Sequence, residues 1–332
     1  MPAPKLSSSL LLLLLVFSPL TGAAEGPEPA RRIFEPFAEG RWLGNAVCYG
    51  PHRDGQRPGG ATPSAAQIRE DLITMRPHWR LLRLYGSSEF GGRVLDAIRA
   101  GDLGMKVMLG VWIAPEEDGI LEGHSDATAA NRREADAAVA LAAEYPDIVT
   151  AVCVGNETQV SWSPHPTSLE IVARYIRRVR GEVIQPVTSA DDYQYWIDPN
   201  SRALADEIDF ITLHAHPLWN GRRLDEALPW LREQVAAVRA VHPGRQLVIG
   251  ETGWATTAAD EGEQARLIKG LPGEPQQARF YQAVRSWASS ERVTIFFFEA
   301  FDENWKGGDN PNDVEKHWGF FHADRTPKEA VR

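Results

Sequence analysis

Cysteine is nearly missing from this chain: two, Cys48 and Cys153, among 332 residues. Both fall inside apolar, strand-like runs and read as buried thiols acting as small hydrophobes, because non-neighbouring strands hold their Cα atoms too far apart to bridge. No cysteine and histidine spacing resembles a zinc site. A basic tract is lacking too, and 35 Lys and Arg against 45 Asp and Glu leave a net charge of −10. That balance argues against nucleic acid or an anionic membrane as partner and suits a neutral substrate. Neither a G-x-x-x-x-G-K-[ST] loop nor a G-x-G-x-x-G turn occurs, and there is no G-x-S-x-G elbow, so phosphate-cradling and serine-hydrolase chemistry have no support. Internal repeats, low-complexity tracts and interdomain linkers are absent as well.

Long apolar runs are the next shortage. The block Leu10 to Phe17 is too short to span a bilayer, and no later run is long enough. Preceded by Lys5 and followed by Ser18-Pro19 and the small residues Gly22-Ala23-Ala24, it reads as an export signal cut near Ala24. Residues 1–24 are thus expected to be a signal peptide, and 25–332 a secreted or periplasmic protein, free of the membrane after cleavage and monomeric. The remaining roughly three hundred residues suit one barrel-sized domain as well as two smaller ones.

What the chain does contain is a series of short runs rich in Val, Ile, Leu and Phe, bounded by turn residues. They lie around 43–49, 81–85, 106–112, 149–154, 186–190, 210–214, 247–250 and 293–298. Helical periodicity fills most of the gaps. Leu169, Val172, Ile176, Val179 and Val183 recur at three- and four-residue steps behind a capping box at Thr167–Glu170, and Ser64 to Gln67 opens another helix that Pro77 closes. Eight nearly continuous apolar strands alternating with helices predict an α/β fold, a single-domain (β/α)8 TIM barrel, ahead of an open doubly wound sheet. The fifth unit leaves room for only a short helix.

In such a barrel the residues just past the strand carboxyl ends converge on one mouth. Here those positions are polar and aromatic: Tyr49, Tyr85, Trp112, Asn156 with Glu157, Asp191, His214 with His216, Glu251 with Trp254, and Glu299. Two glutamates from the fourth and seventh strands can divide the labour of a retaining glycosidase, one attacking the anomeric carbon and the other protonating the departing oxygen. Their environments must then push the two pKa values apart. Asn156 is placed to donate to a sugar 2-hydroxyl. Either glutamate alone reads more readily as a helix cap or a surface charge; the pair is the stronger signal. His214 and His216 share one strand face and raise a metal site, but no further ligands cluster with them, and hydrogen bonding to sugar or nucleophile is the favoured role. Trp112, Trp162, Trp219, Trp254 and Trp305 follow strand ends, where aromatic faces either fill core or stack on pyranose rings.

These residues resemble glycoside hydrolase family 17, the β-1,3-glucanases and β-1,3-glucan transglycosylases, in its bacterial-like branch. The resemblance rests on "VCYGPHRDG" at 47–55, "LLRLYGS" at 81–87, "VGNET" at 154–158, "HAHPLWNG" at 214–221, "VIGETGW" at 248–254 and "FFFEAFDENWKGG" with "EKHWGFF" near the C terminus. It implies that Glu157 is the acid/base and Glu251 the nucleophile, that no cofactor or metal is used, and that a β-1,3-linked glucan is the partner. Substrate contacts are implied for Tyr49, Tyr85, Asn156, Trp254, Glu299, Glu303 and Lys306, with His214, His216 and Trp219 added from their place at the strand ends. His216 departs from the family pattern, in which many plant members carry an aromatic before the proline. A tyrosine's usual hydrogen bond to the nucleophile would then pass to one of the histidines. Trp162 or Trp219 could platform an acceptor sugar, and the segments 51–63 and 115–131 would decide between endo and exo action.

Overall fold

The computed structural model describes Met1 and residues 30–116 and 126–332, so the expected signal peptide and most of the 115–131 segment lie outside the described residues. Residues 31–332 form one compact unit. A two-stranded hairpin, β1 (Phe37–Ala38) and β2 (Arg41–Trp42), precedes the barrel. Eight parallel strands follow: β3 (Asn45–Cys48), β4 (Leu81–Arg83), β5 (Lys106–Val111), β6 (Val149–Asn156), β7 (Val187–Asp192), β8 (Phe210–His214), β9 (Leu247–Thr252) and β10 (Ile295–Phe297). They close in sequence order, with β10 returning to β3. The closed barrel replaces the open-sheet alternative.

The helices between strands are α1 (Ala65–Met75), α2 (Gly91–Ala100), α3 (Asp126–Glu144), α4 (Leu169–Glu182), α5 (Tyr193–Trp196), α6 (Arg202–Glu207), α7 (Leu224–Val241), α8 (Gly262–Leu267) and α9 (Glu274–Glu291). The capping box at Ser64 and Gln67 forms as the sequence predicts, and α1 stops short of Pro77. On α4 the cap moves by one residue: Ser168, not Thr167, accepts from the backbone N–H of Ile171. The fifth unit holds only the short α5 and α6 and a 3₁₀ turn between them.

Two apolar clusters follow from strand alternation. One packs the outer strand faces against the helices. The other fills the barrel with mostly small side chains, Ala46, Cys48, Ala151, Cys153 and Ala190 among them, leaving the upper interior to polar groups. The floor is sealed by Phe34, stacked on Phe210 with ring centroids 5.0 Å apart and tied through its backbone to the Gln246 amide. Cys48 and Cys153 are free and buried. No helix among the described residues is long and apolar enough to cross a membrane.

Candidate active site

The acid at 157 is set by a break in its strand. The β6–β7 ladder shifts register between Cys153 and Asn156, Gly155 takes φ 81° and Glu157 itself takes φ 49°. Glycine adopts that region freely, but a residue with a Cβ pays about 1–2 kcal/mol. Two backbone bonds hold the turn against that cost. Glu157 N–H donates to Ala190 O at 2.8 Å, and Gln159 N–H donates to the buried Asp191 carboxylate at 2.9 Å. Glu251 lies within β9, behind a glycine whose replacement would bring a Cβ to 2.3 Å from the Thr212 methyl.

These strands deliver one oxygen each of Glu157 and Glu251, and a nitrogen of His214, to within 4.8 Å of one another. His214 bridges the acids, Nδ1 lying 2.9 Å from Glu157 Oε1 and Nε2 3.5 Å from Glu251 Oε1. Glu251 is further held by Arg83, which donates Nη1–H to Oε1 at 2.6 Å and Nη2–H to Asn156 Oδ1 at 2.6 Å. Tyr85 donates its hydroxyl to the same carboxylate oxygen at 2.8 Å. His216 Nε2 stands 3.3 Å from Oε2.

The two carboxyls are pushed apart in acidity. Burial, reinforced by the Glu251 charge, raises Glu157 to about 8. Burial would raise Glu251 as well, but the imidazoles of His214 and His216 and the Arg83 guanidinium outweigh it and hold this carboxyl well below the usual range. Arg83 is the permanent charge among them, because burial drives His214 down to about 3 and leaves it neutral. Near neutral pH the site therefore holds a protonated Glu157 beside an ionised Glu251. The same three ligand atoms are spaced for a metal ion, but Arg83 already occupies the Glu251 oxygen and Glu157 keeps its proton, so the donor set favours a proton over a cation.

Beside this pair Lys306 Nζ lies 2.6 Å from both Glu299 oxygens and 2.9 Å from Glu303. With one lysine between two buried acids, burial pushes Glu299 up, while the lysine charge overcomes burial at Glu303 and brings it to about 2. His52 is 3.6 Å from Glu303. At the rim the indole N–H of half-buried Trp219 donates to Glu315 at 3.0 Å. Trp112 lies against His165 with centroids 4.4 Å apart, and Trp162, 55 % exposed, stands in the loop that follows Glu157.

Two expected contacts are corrected. Tyr49 follows inward-facing Cys48, so it points outward and is fully buried, its hydroxyl bonded to Asp71 of α1 at 3.1 Å. Trp254 turns away from the mouth as well; it is buried against Phe280, with its indole N–H donated to Leu271 O at 3.0 Å. Neither can meet a sugar. The expected histidine contact to Glu251 is present through His216 at 3.3 Å, and Tyr85, which follows β4, adds a tyrosine hydroxyl on the other oxygen. Asp191, expected at the mouth, lies there and accepts from the Gln159 N–H, whereas Arg83 and Glu315 were not singled out. For Arg83 the signal was available, since an arginine alternating with Leu81 and Tyr85 on an inward strand face needs a buried anion opposite it.

Among curated proteins, a glucan 1,3-beta-glucosidase of Arthroderma benhamiae is 29% identical over 291 residues, covering 82% of this chain and 86% of that protein. Among solved structures, an endo-laminarinase from Formosa Hel1_33_131 superposes with TM-score 0.74 at 27% identity, covering 87% of this chain and 86% of that one. A glycoside hydrolase family 17 beta-1,3-glucanosyltransferase from Rhizomucor miehei shares the fold, with TM-score 0.69 at 23% identity over 87% and 96% of the two chains. The family model described as the BtgE/BtgC glycoside hydrolase domain matches residues 46–319, a span that runs from β3 past Glu315 and so takes in every acid of the mouth. The paired carboxyls thus sit in the barrel of a known glycosidase lineage, and this chain belongs to the BtgE/BtgC glycoside hydrolase domain family.

Proposed function

We propose that this chain is a retaining glycoside hydrolase of β-1,3-glucan, with Glu251 as nucleophile and Glu157 as acid/base. One observation carries the reading: oxygens of the two acids lie within 4.8 Å, close to the ~5–5.5 Å of retaining enzymes and short of the ~6.5–9.5 Å that admits a water in inverting ones. Ionised Glu251 attacks the anomeric carbon, a glycosyl ester forms, and the Glu157 proton leaves with the departing sugar oxygen. Esterification removes the Glu251 charge, one of the two main causes that hold Glu157 high. The second carboxyl can then act as base toward the acceptor hydroxyl. Asn156, steadied by Arg83, faces the 2-hydroxyl, while Tyr85 and His216 keep the nucleophile aligned. Glu299, Glu303, Lys306 and Trp219 supply polar and aromatic sugar contacts. Export after cleavage near Ala24, action as a monomer and independence of cofactors belong to the same proposal.

Transglycosylation is the second reading, and exposed Trp162 beside the acid favours it as an acceptor platform. A barrel that only binds glucan would not need two carboxyls tuned in opposite directions. The test is a time course on laminari-oligosaccharides, with the anomer of the first products read by NMR. Initial β-anomer supports retention, and α-anomer rejects it. Products longer than the input assign transfer, and shorter products alone assign hydrolysis.

A further inference from the structure

At the end of the barrel away from the mouth, the turns leading into β3 and β4 and the C-terminal half of α9 border a half-open hollow of about 510 Å³. That volume falls within the range of small-molecule sites. Arg41, Arg76, Arg80, Arg285 and His78 line it, and no carboxylate does so among the described residues. On a chain of net charge −10, four guanidiniums around one hollow are not a by-product of a generally basic surface.

Two of them are set in place. Arg76 donates Nε–H to Leu103 O at 2.8 Å, and Arg80 donates Nε–H to Gly104 O at 3.0 Å. Their terminal nitrogens remain for another acceptor, apart from a long 3.4 Å contact of Arg80 with exposed Glu39. Arg41 and Arg285 have no carboxylate partner among the described residues. Burial and the nearby Arg285 charge together push His78 down, so the imidazole stays neutral while the guanidiniums keep the hollow positive.

The remaining lining is not built for a bare anion. Asn45 closes the back of the hollow, its side-chain amide donating to the Tyr281 hydroxyl at 3.1 Å. Half-buried Trp42 offers an indole, and Ser289 a hydroxyl, on the same wall. We propose that this hollow binds a phosphorylated saccharide. Its phosphoryl group engages the arginine forks, which match phosphate geometry, and its ring lies beside Trp42 with a hydroxyl reaching Ser289. A singly charged uronate offers the same forks half the charge.

Isothermal titration of the intact protein with glucose 6-phosphate, inorganic phosphate, glucuronate and glucose tests this assignment. Glucose 6-phosphate should bind saturably with Kd below about 1 mM, more tightly than the other three, and more weakly as salt rises. The Arg41→Ala/Arg285→Ala variant should lose at least ~10-fold in affinity, while its melting and its glucan hydrolysis stay at wild-type levels, because both side chains are exposed and distant from the mouth. Should the double variant not fold, Arg41→Ala alone carries the test with a smaller loss. No saturable binding, affinity unchanged in the variants, or phosphate or glucuronate binding as tightly as glucose 6-phosphate would each overturn the proposal.

Discussion

Replacing Glu157 by alanine separates the acid role from every other one, because proton donation matters only when the departing group is a poor one. Burial and the Glu251 charge hold the Glu157 carboxyl at about 8 against an ordinary 4.5. At pH 7 such a group is about nine-tenths protonated and an ordinary carboxyl only about 0.3%, so the environment raises the available acid about 300-fold. General acid assistance itself contributes ~10²–10⁴-fold. Glu157→Ala should therefore lower kcat/KM on laminarin oligosaccharides by at least ~10²-fold. A β-glucoside of a strongly acidic phenol should keep its first step, seen as a burst of phenolate followed by slow turnover. In the wild type, glucan hydrolysis should fall as pH rises through about 8, where the acid form is lost. The phenolic burst should show no such limb. Equal losses on both substrates, or an alkaline limb that persists in the variant, would refute the assignment.

Arg83→Met leaves Glu251 and Asn156 without the cation they share. Breaking such a buried pair costs about 3–5 kcal/mol, measurable by urea unfolding, and the acid limb of the pH–rate profile should move upward as Glu251 becomes easier to protonate. Glu157→Gln should stabilise the protein in a pH-dependent way. Between the ordinary 4.5 and about 8 the unfolded chain releases a proton that the native state keeps, so wild-type stability falls with rising pH. The variant should match the wild type near pH 4.5 and exceed it by about 1–3 kcal/mol at pH 8, read as a higher Tm; a gain independent of pH would contradict the buried-acid account. Dialysis against EDTA should leave kcat unchanged, because Arg83 already holds the charge that an ion would neutralise; a loss restored by added metal would reverse that view.

The barrel was legible because parallel strands buried on both faces spell themselves as unbroken apolar runs; all eight coincide with stretches read from the chain, and only β6, β7 and β9 run on, each by two residues at the mouth end. The two-residue strands of the floor hairpin are too short to carry a period. At the mouth, position along the strand was readable but facing was not. Tyr49 and Trp254 were placed by their nearness to strand ends, whereas alternation from Ala46 and Cys48 turns Tyr49 outward. Glu157 faces the mouth because a bulge at Gly155 re-aims it, a feature visible only once the ladder with β7 is laid out. Arg83 stayed hidden inside an apolar run, its need for a partner met by a residue 168 positions away.

The two thiols inside the barrel bear on how the molecule can be handled. Burial lifts Cys48 to about 12 and moves Cys153 the same way, so neither offers a thiolate to oxidants or alkylating reagents while the barrel stays closed. Maturation should then be indifferent to redox potential, reaching one state in a reducing bacterial cytoplasm and in aerated medium alike, with no isomerase required. It also makes the pair an internal clock: each labelling event on a maleimide reports one opening of the whole barrel.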